Sequence, residues 1–330
     1  MTLVFEDRVY GKITITEREV LDVINTPTFQ RLRKIGMAGY ELFLSQNHPL
    51  SKLRANRFEH SIGVWYLLKT LGASREEKIA GLLHDISILA LAHIGDCVFG
   101  RFETQDYHDE IKSSFLEQTE IPRILAKHGI DIKDVLDETK FGLLDRKHPD
   151  LCADRIDYSL RHLVELRKID REEVRKILAS LRVYNGEIVF SSFNVARQFA
   201  YHYLYLNQNY YCTPLQASVF TLIAQVVREG MEKGIIDEVD LFTTDDVIYR
   251  KLQSCDDEEI RDALRKIHNL AVVEESNDYE MHVVSKARWI DPKVIKKGKI
   301  YRVSEIDEGY KTAVMKWLDT AKRGFKVRII

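Results

Sequence analysis

The chain has 330 residues, 45% of them hydrophobic and 30% charged, with a formal net charge of -2. That length buries a substantial core and suits one large domain or two modest ones. The near-balanced charge excludes a global field that would advertise nucleic acid or an anionic membrane, so phosphate binding has to come from local cations or a metal.

In chain order, Val4 to Thr16 alternates as a short hairpin around Gly11. From Glu17 the apolar residues Val20, Leu21, Ile24, Phe29, Leu32 and Ile35 recur at three- and four-residue steps, predicting helix, and Pro27 after Thr26 starts a second one. Gly36 to Asn56 carries breakers at Gly36, Gly39, Asn47 and Pro49 and reads as irregular. Helices are then predicted over Arg57–Leu71 and Arg75–Leu91, the second capped by Ser74 with Glu77 at capping-box spacing. Further helices follow over Tyr107–Gln118, Pro149–Leu166, Asp170–Ser180 and Phe193–Tyr211, with an Asn185-Gly186 hairpin inside Tyr184–Phe190. Beyond Pro214, helices are expected over Leu215–Lys233, Thr244–Gln253 and Asp256–His268. Ala271 to Val284 alternates like strand, a basic loop follows Asp291-Pro292, and Glu305–Lys322 is a last helix before a short apolar end. The expected fold is mainly α, with a helical domain over 1–270 and a small α+β subdomain over 271–330.

Cys97, Cys152, Cys212 and Cys255 are far apart and form no CxxC pair, which argues against a zinc ribbon and for a reducing compartment. Glu6, Asp7 and Arg8 interrupt any signal-peptide apolar region, and the run Ile86 to Ile94 is too short to span a bilayer. A cytoplasmic protein without membrane contact is expected.

Chemistry-bearing side chains gather at His60, His84-Asp85, His93 with Asp96, His108 and Asp154. Imidazoles and carboxylates suit manganese, iron, nickel, zinc or magnesium, and no cysteine is placed to join them. His84-Asp85 sits inside an apolar helical stretch, where consecutive side chains point about 100° apart and can share a metal only at the edge between them. A charged Asp buried there needs a partner, and a metal is a natural one. The bland reading stays beside it: each histidine can be an ordinary core or surface group, and Asp157 with Arg161 can be a plain i, i+4 helix pair.

Five ordered motifs carry a resemblance. Val4-Phe5-Glu6-Asp7-Arg8-Val9-Tyr10-Gly11, Asn25-Thr26-Pro27-Thr28-Phe29-Gln30-Arg31-Leu32-Arg33, Arg57-Phe58-Glu59-His60-Ser61-Ile62-Gly63, Ala80-Gly81-Leu82-Leu83-His84-Asp85 and Ala153-Asp154-Arg155-Ile156-Asp157-Tyr158 resemble the deoxynucleoside triphosphate triphosphohydrolases of the HD superfamily. The resemblance covers roughly 4 to 270 and implies the HD-domain helical fold. It implies His60, His84, Asp85 and Asp154 as ligands of a divalent metal. It also implies His93 acting on the leaving group, Asp96 orienting it, and His108 lining the pocket. Arg57 and Arg155 would contact substrate phosphates, and Tyr158 would pack near the sugar. A homo-oligomer, a dimer or larger, is a further implication.

The departures lie at Ser87 and Ile88, where the family carries glycine and histidine, at Met37 for a sugar-reading glutamine, and at Leu206 for a phosphate-clamping arginine. They predict that canonical deoxynucleoside triphosphates are poor substrates. Asn25 replaces an aspartate beside Gln30 and Arg33, where some relatives bind an activating nucleotide, so that regulation is not expected. The chain therefore reads as a metal-dependent phosphohydrolase of a nucleotide-type substrate. A nucleoside monophosphatase or phosphodiesterase with the same cage, or a metal-binding regulatory module, is the alternative. Lys293, Lys296, Lys297, Lys299 and Arg302 read as a solvated loop rather than a nucleic-acid site.

Overall fold

Alternation, turn residues and helix caps account for most of the elements in the computed structural model, which describes residues 2–330. β1 (Leu3–Asp7) and β2 (Gly11–Ile15) pair antiparallel, with Gly11 at φ 73°, a left-handed conformation that glycine adopts without strain. α1 (Arg18–Ile24) and α2 (Pro27–Gln30) follow, and Thr26 Oγ1 accepts the Phe29 N–H to cap α2. Residues 36–56 are irregular, closed by a bridge between Gly36 and Asn56. Asn56 then caps α3 (Arg57–Thr70) through the Glu59 N–H.

α4 (Arg75–Leu83) ends at Leu83, not at Leu91 as expected. Ser74 Oγ does accept the Glu77 N–H, but the Glu77 carboxylate reaches the amides of Leu143 and Leu144 at 2.7 and 3.1 Å, so the capping box is half formed. The apolar run past Leu83 is a buried turn whose backbone is held from elsewhere. Arg31 donates to the carbonyls of Ile86 and Ile88, both at 2.8 Å, Ala90 N–H reaches Leu241 O, and Leu91 N–H reaches Asp245 Oδ1. A short apolar run cannot by itself distinguish a helix from such a tied turn.

α5 (His93–Val98) starts after Leu91 and Ala92, both at positive φ. The single helix expected over Tyr107–Gln118 is two, α6 (Tyr107–Glu110) and α7 (Lys112–Glu117), before α8 (Ile121–Lys127) and α9 (Ile132–Leu136). α10 (Ala153–Glu165) begins after Cys152, later than expected, because Pro149 lies in a turn whose carbonyl accepts the Asp291 N–H. α11 (Arg171–Ser180) leads into the hairpin of β3 (Leu181–Tyr184) and β4 (Glu187–Phe190), with Asn185 and Gly186 both at positive φ. α12 (Phe193–Leu206) runs on into a π-helical turn over Asn207–Tyr211. α13 (Pro214–Glu232), α14 (Asp245–Ser254) and α15 (Glu258–Asn269) complete the helical series up to 270.

After residue 270, β5 (Val273–Glu275), β6 (Met281–Val283) and β9 (Phe325–Ile329) form a sheet in the order β5-β9-β6, packed on α13. The basic stretch expected as a loop is instead a hairpin of β7 (Lys293–Lys296) and β8 (Lys299–Arg302), turning at Lys297-Gly298 with both residues at positive φ. β7 runs parallel beside β4, giving a four-stranded sheet β3-β4-β7-β8. Two of its cations tie it to the body of the protein: Lys293 pairs with Glu187 and with Asp150 at 3.2 Å, and Arg302 with Asp150 at 2.7 Å. α16 (Val303–Ile306) and α17 (Glu308–Lys322) pack on α12. The fold is mainly α with small sheets. Its two apolar cores gather around α3, α4, α10 and α12 and around α5, α13, α14 and α15. No helix among the described residues is long and apolar enough to cross a membrane.

Candidate metal centre and active-site cavity

α3 and α10 pack closely because Gly63 lies between them. A Cβ at Gly63 would sit 2.0 Å from Asp157 Oδ1 and 2.3 Å from a terminal nitrogen of Arg161. One turn earlier on α3 is His60; one turn earlier on α10 is Asp154. His84, at the C-terminal end of α4, and Asp85, in the turn after it, complete the group. The pair therefore does not lie mid-helix as expected, and the turn, rather than a helix edge, lets both side chains reach one point.

His60 Nε2 is 3.0 Å from Asp154 Oδ1, 3.1 Å from His84 Nε2 and 3.7 Å from Asp85 Oδ2. His84 Nε2 is 3.5 Å from Asp85 Oδ2 and 3.7 Å from Asp154 Oδ1. Ligands about 2.1 Å from one ion sit about 3.0 Å apart at right angles and about 3.4 Å apart at tetrahedral angles. His60, His84 and Asp154 fit that spacing, Asp85 lies beside the two imidazoles, and imidazoles with carboxylates suit a divalent transition metal or magnesium.

The surroundings orient the donors. His60 Nδ1–H donates to Asp157 Oδ2 at 2.7 Å and His84 Nδ1–H donates to Gly81 O at 2.8 Å, which leaves both Nε2 atoms free. Asp157 in turn accepts two hydrogen bonds from Arg161, each 2.9 Å, and Arg161 reaches Asp7 Oδ2 at 2.9 Å. All three of these side chains are fully buried. Burial opposes a charged His60, but the contacts with Asp154 and Asp157 outweigh it and raise the imidazole to about 9. The carboxylate cluster thus draws positive charge toward the same point.

Arg57, expected to meet substrate phosphate, is engaged within the protein: it donates to Asp85 Oδ2 at 2.7 Å and to Met37 O at 2.8 Å. Burial works against the Asp85 carboxylate, but Arg57, His84 and His60 hold it well below the usual range. Arg155 donates to Asp150 O at 3.0 Å and lies 3.2 Å from the exposed carboxylate of Asp145. The Tyr158 hydroxyl is 2.5 Å from that of Tyr203.

A second cluster faces the same cavity. His93 Nδ1–H donates to Asp96 Oδ2 at 3.0 Å, and His108 Nδ1–H donates to Asp96 Oδ1 at 3.1 Å. Asp96 is fully buried and shared between the imidazoles, whose ring centres are 5.6 Å apart. Burial pushes His93 down to about 3 despite Asp96, whereas on His108 the pull of Asp96 outweighs burial and raises it.

One cavity of about 520 Å³ joins these parts. Its lining includes the four donors, His93, His108, Arg57, Arg155 and Tyr158. Met37 lines it too, but Ile88 and Leu206, expected in the sugar and phosphate pocket, do not; both are fully buried in the core. Ile88 belongs to the tied turn after α4, and Leu206 ends α12 just before the π-turn that supplies the wall residues Tyr210 and Tyr211. Gln30 and Arg33 are tied locally, Gln30 to Ile24 O and Arg33 to Gln30 and over the Phe58 ring.

Sequence reasoning missed the buried Asp7–Arg161–Asp157 chain, and it missed Lys286 and Arg288, which line the cavity from the segment after β6. The only signal for the first was the Asp157–Arg161 spacing. Gly63→Ala is expected to lower stability by about 3 kcal/mol, because the clashing atoms belong to a buried ion pair that cannot step aside. Equilibrium unfolding in urea checks this, and a loss below about 0.5 kcal/mol would contradict the packing described.

No family model matches the chain. It is 32% identical over 326 residues to the uncharacterized protein YdhJ of Bacillus subtilis, covering 98% of each chain. It is 29% identical to the metal-dependent phosphohydrolase cns2 of Cordyceps militaris, over 90% of this chain and 86% of that one. A shorter match, 29% of this chain and 17% of the other, is 37% identical to the deoxynucleoside triphosphate triphosphohydrolase SAMHD1 of Danio rerio. The crystal structure of a hypothetical protein from Aquifex aeolicus covers 94% of both chains with a TM-score of 0.67 at 19% identity, a likeness of fold. With relatives aligned over nearly its whole length, and histidines and aspartates spaced to take a divalent metal ion, the chain belongs to the HD-domain metal-dependent phosphohydrolases.

Proposed function

We propose that the enzyme hydrolyses a phosphate ester or anhydride of a nucleotide, with His60, His84, Asp85 and Asp154 as the metal ligands and His93, Asp96 and His108 as the proton-handling group. The observation that carries this reading is continuity. A single cavity runs from the four-donor cluster and the imidazole pair to Tyr40, Tyr158, Tyr210 and Tyr211. Those rings offer a base the apolar, stacking surface that a bare phosphate would not need. The shorter match to an enzyme named for deoxynucleoside triphosphates supports the same class.

A divalent metal held by His60, His84, Asp85 and Asp154 would supply Lewis-acid polarisation of a phosphoryl oxygen and activation of water. The chain's own residues do the rest. Asp157 and the Gly81 carbonyl fix the tautomers of His60 and His84, and Arg57 fixes the Asp85 carboxylate. Asp96 holds Nδ1 of both His93 and His108, so each presents Nε2 as a proton site. His93 enters the reaction neutral, and His108 is the imidazole favoured to carry the proton for the departing oxygen. Arg155 adds positive charge to the wall, and Tyr158 packs against the sugar or base.

The expectation that triphosphates are poor substrates rested on three apolar positions, of which only Met37 lines the cavity. The choice among mono-, di- and triphosphates therefore rests with the cations that line the cavity. The test is kcat/KM on nucleoside mono-, di- and triphosphates beside a generic aryl phosphate, with purified metal-loaded protein. A nucleotide should exceed the aryl phosphate by about tenfold or more, the gain from one well-placed stacking contact. Equal values for both would overturn the nucleotide assignment while leaving phosphohydrolysis intact.

A further inference from the structure

Five cationic side chains line the cavity: Arg57, Lys112, Arg155, Lys286 and Arg288. Three are already matched by carboxylates. Arg57 pairs with Asp85 at 2.7 Å, Lys112 with Glu138 at 2.8 Å and Asp109 at 3.1 Å, and Arg155 with Asp145 at 3.2 Å. Lys286 and Arg288 make no ion pair among the described residues. Lys286 Nζ donates to Thr104 O at 2.6 Å, and an Arg288 terminal nitrogen donates to Gln105 Oε1 at 2.6 Å. Both acceptors are neutral. They satisfy one donor on each side chain and leave the charges unmatched.

The two residues are held there by design of the surrounding chain. Residues 285–291 form a strap between β6 and β7 that is fastened at both ends. At one end Ser285 Oγ donates to Tyr211 O at 3.0 Å and lies 3.1 Å from Gln216 Oε1. At the other, His148 Nδ1–H donates to Trp289 O at 2.6 Å, the Tyr310 hydroxyl donates to Ile290 O, and Asp291 N–H donates to Pro149 O at 2.8 Å. Tyr211, Gln216 and His148 themselves line the cavity, so the strap is tied directly to its walls.

Holding two cations together in a partly enclosed space is unfavourable. Burial and the neighbouring Arg288 push Lys286 down to about 8, and Asp109, Asp106 and Asp96 offset this only in part. Unmatched, partly desolvated charge gathered in a cavity marks a place where a ligand of opposite sign completes the balance.

We infer that Lys286 and Arg288, presented by the 285–291 strap, form the clamp that binds the phosphate oxygens of the substrate. The inference rests on the phosphohydrolase reading of the cavity and deepens it. The substrate class is one carrying phosphate oxygens beyond those that the metal centre can engage, such as a nucleoside di- or triphosphate. Arg288, with a planar fork, suits two oxygens at once, and Lys286 acts as a point charge beside it. The C-terminal segment thereby completes the active site.

The experiment uses the full chain loaded with metal, the variants Lys286→Gln, Arg288→Gln and their double, and the conservative variants Lys286→Arg and Arg288→Lys. Inorganic pyrophosphate binding is measured by calorimetry, and KM and kcat are measured on the best nucleotide of the panel. Each Gln variant should weaken pyrophosphate binding and raise KM by roughly 10- to 100-fold, the effect of one charge-assisted contact, with kcat changed by less than about threefold. The conservative variants should recover most of the loss, which a purely structural role of the strap would not allow. Equal pyrophosphate affinity in wild type and double variant overturns the clamp. Should a Gln variant at 288 fail to fold, Lys286→Gln alone with the same two readouts decides the matter. Failure of the functional reading looks different: the wild type would bind pyrophosphate yet hydrolyse no phosphate substrate.

Discussion

His84→Ala and Asp154→Ala should each leave the protein without its metal, taking content from about one ion per chain to below about a tenth. Each replacement removes one member of the His60–His84–Asp154 cluster, in which His60 and His84 Nε2 lie 3.0 and 3.7 Å from Asp154 Oδ1. Asp157, the nearest further carboxylate on α10, is turned to the other nitrogen of His60. Because the metal binds the folded chain, its loss also removes the stability that binding confers. A chelator should lower the melting temperature of the wild type by several degrees and leave both variants almost unmoved, and activity should fall with the metal. Elemental analysis of the purified proteins is the check. Full occupancy in both variants would remove these residues from the ligand set.

How much of this was legible beforehand depended on the range of the interaction concerned. The proposed donors His60, His84, Asp85 and Asp154 stood out because their residue types occur in ordered motifs and because an aspartate inside an apolar run demands a partner. The turn after Leu83 was not, since its backbone is held by Arg31, Leu241 and Asp245, residues far away in sequence. Ile88 and Leu206 were assigned to the pocket by position alone. Where the chain turns at Leu83, and where α12 passes into a π-turn, that position no longer says which side chain faces the cavity.

The cations show the same limit more sharply. Lys293 to Arg302 drew notice because five charges crowd together, yet Lys293 and Arg302 are spent on Asp150 and Glu187 at the junction of β7 and β4. Lys286 and Arg288 are only two, in a stretch without helical or strand periodicity. Their setting depends on ties to Tyr211, Gln216 and His148 that no local pattern records. Counting charges along the chain found the structural group and passed over the one inside the cavity.

The Asp7–Arg161–Asp157–His60 chain is where stability and metal binding meet. An i, i+4 Asp–Arg pair on a helix reads the same whether it faces water, where it is worth a few tenths of a kcal/mol, or lies in the core. Here Asp7, Arg161 and Asp157 are all fully buried behind His60. Removing Arg161 leaves two carboxylates in the interior without their cation, and Arg161→Met should cost about 3 to 5 kcal/mol on that ground. Asp157→Asn acts differently. It keeps the volume but replaces the acceptor that orients His60 Nδ1–H and raises the basicity of Nε2, so metal affinity should fall about 10- to 100-fold with a smaller loss of stability. The double variant discriminates between these effects: with Asp157 no longer charged, Arg161→Met leaves only Asp7 unmatched. Asp157→Asn with Arg161→Met should therefore be less destabilised than the sum of the single changes by about 1 kcal/mol or more, the coupling expected of groups in one buried network. Urea unfolding of the four proteins gives the stabilities, and competition with a chelator gives the metal affinities. Strict additivity in stability, or an unchanged metal affinity in Asp157→Asn, would show that the chain of charges does not act on the centre as a unit.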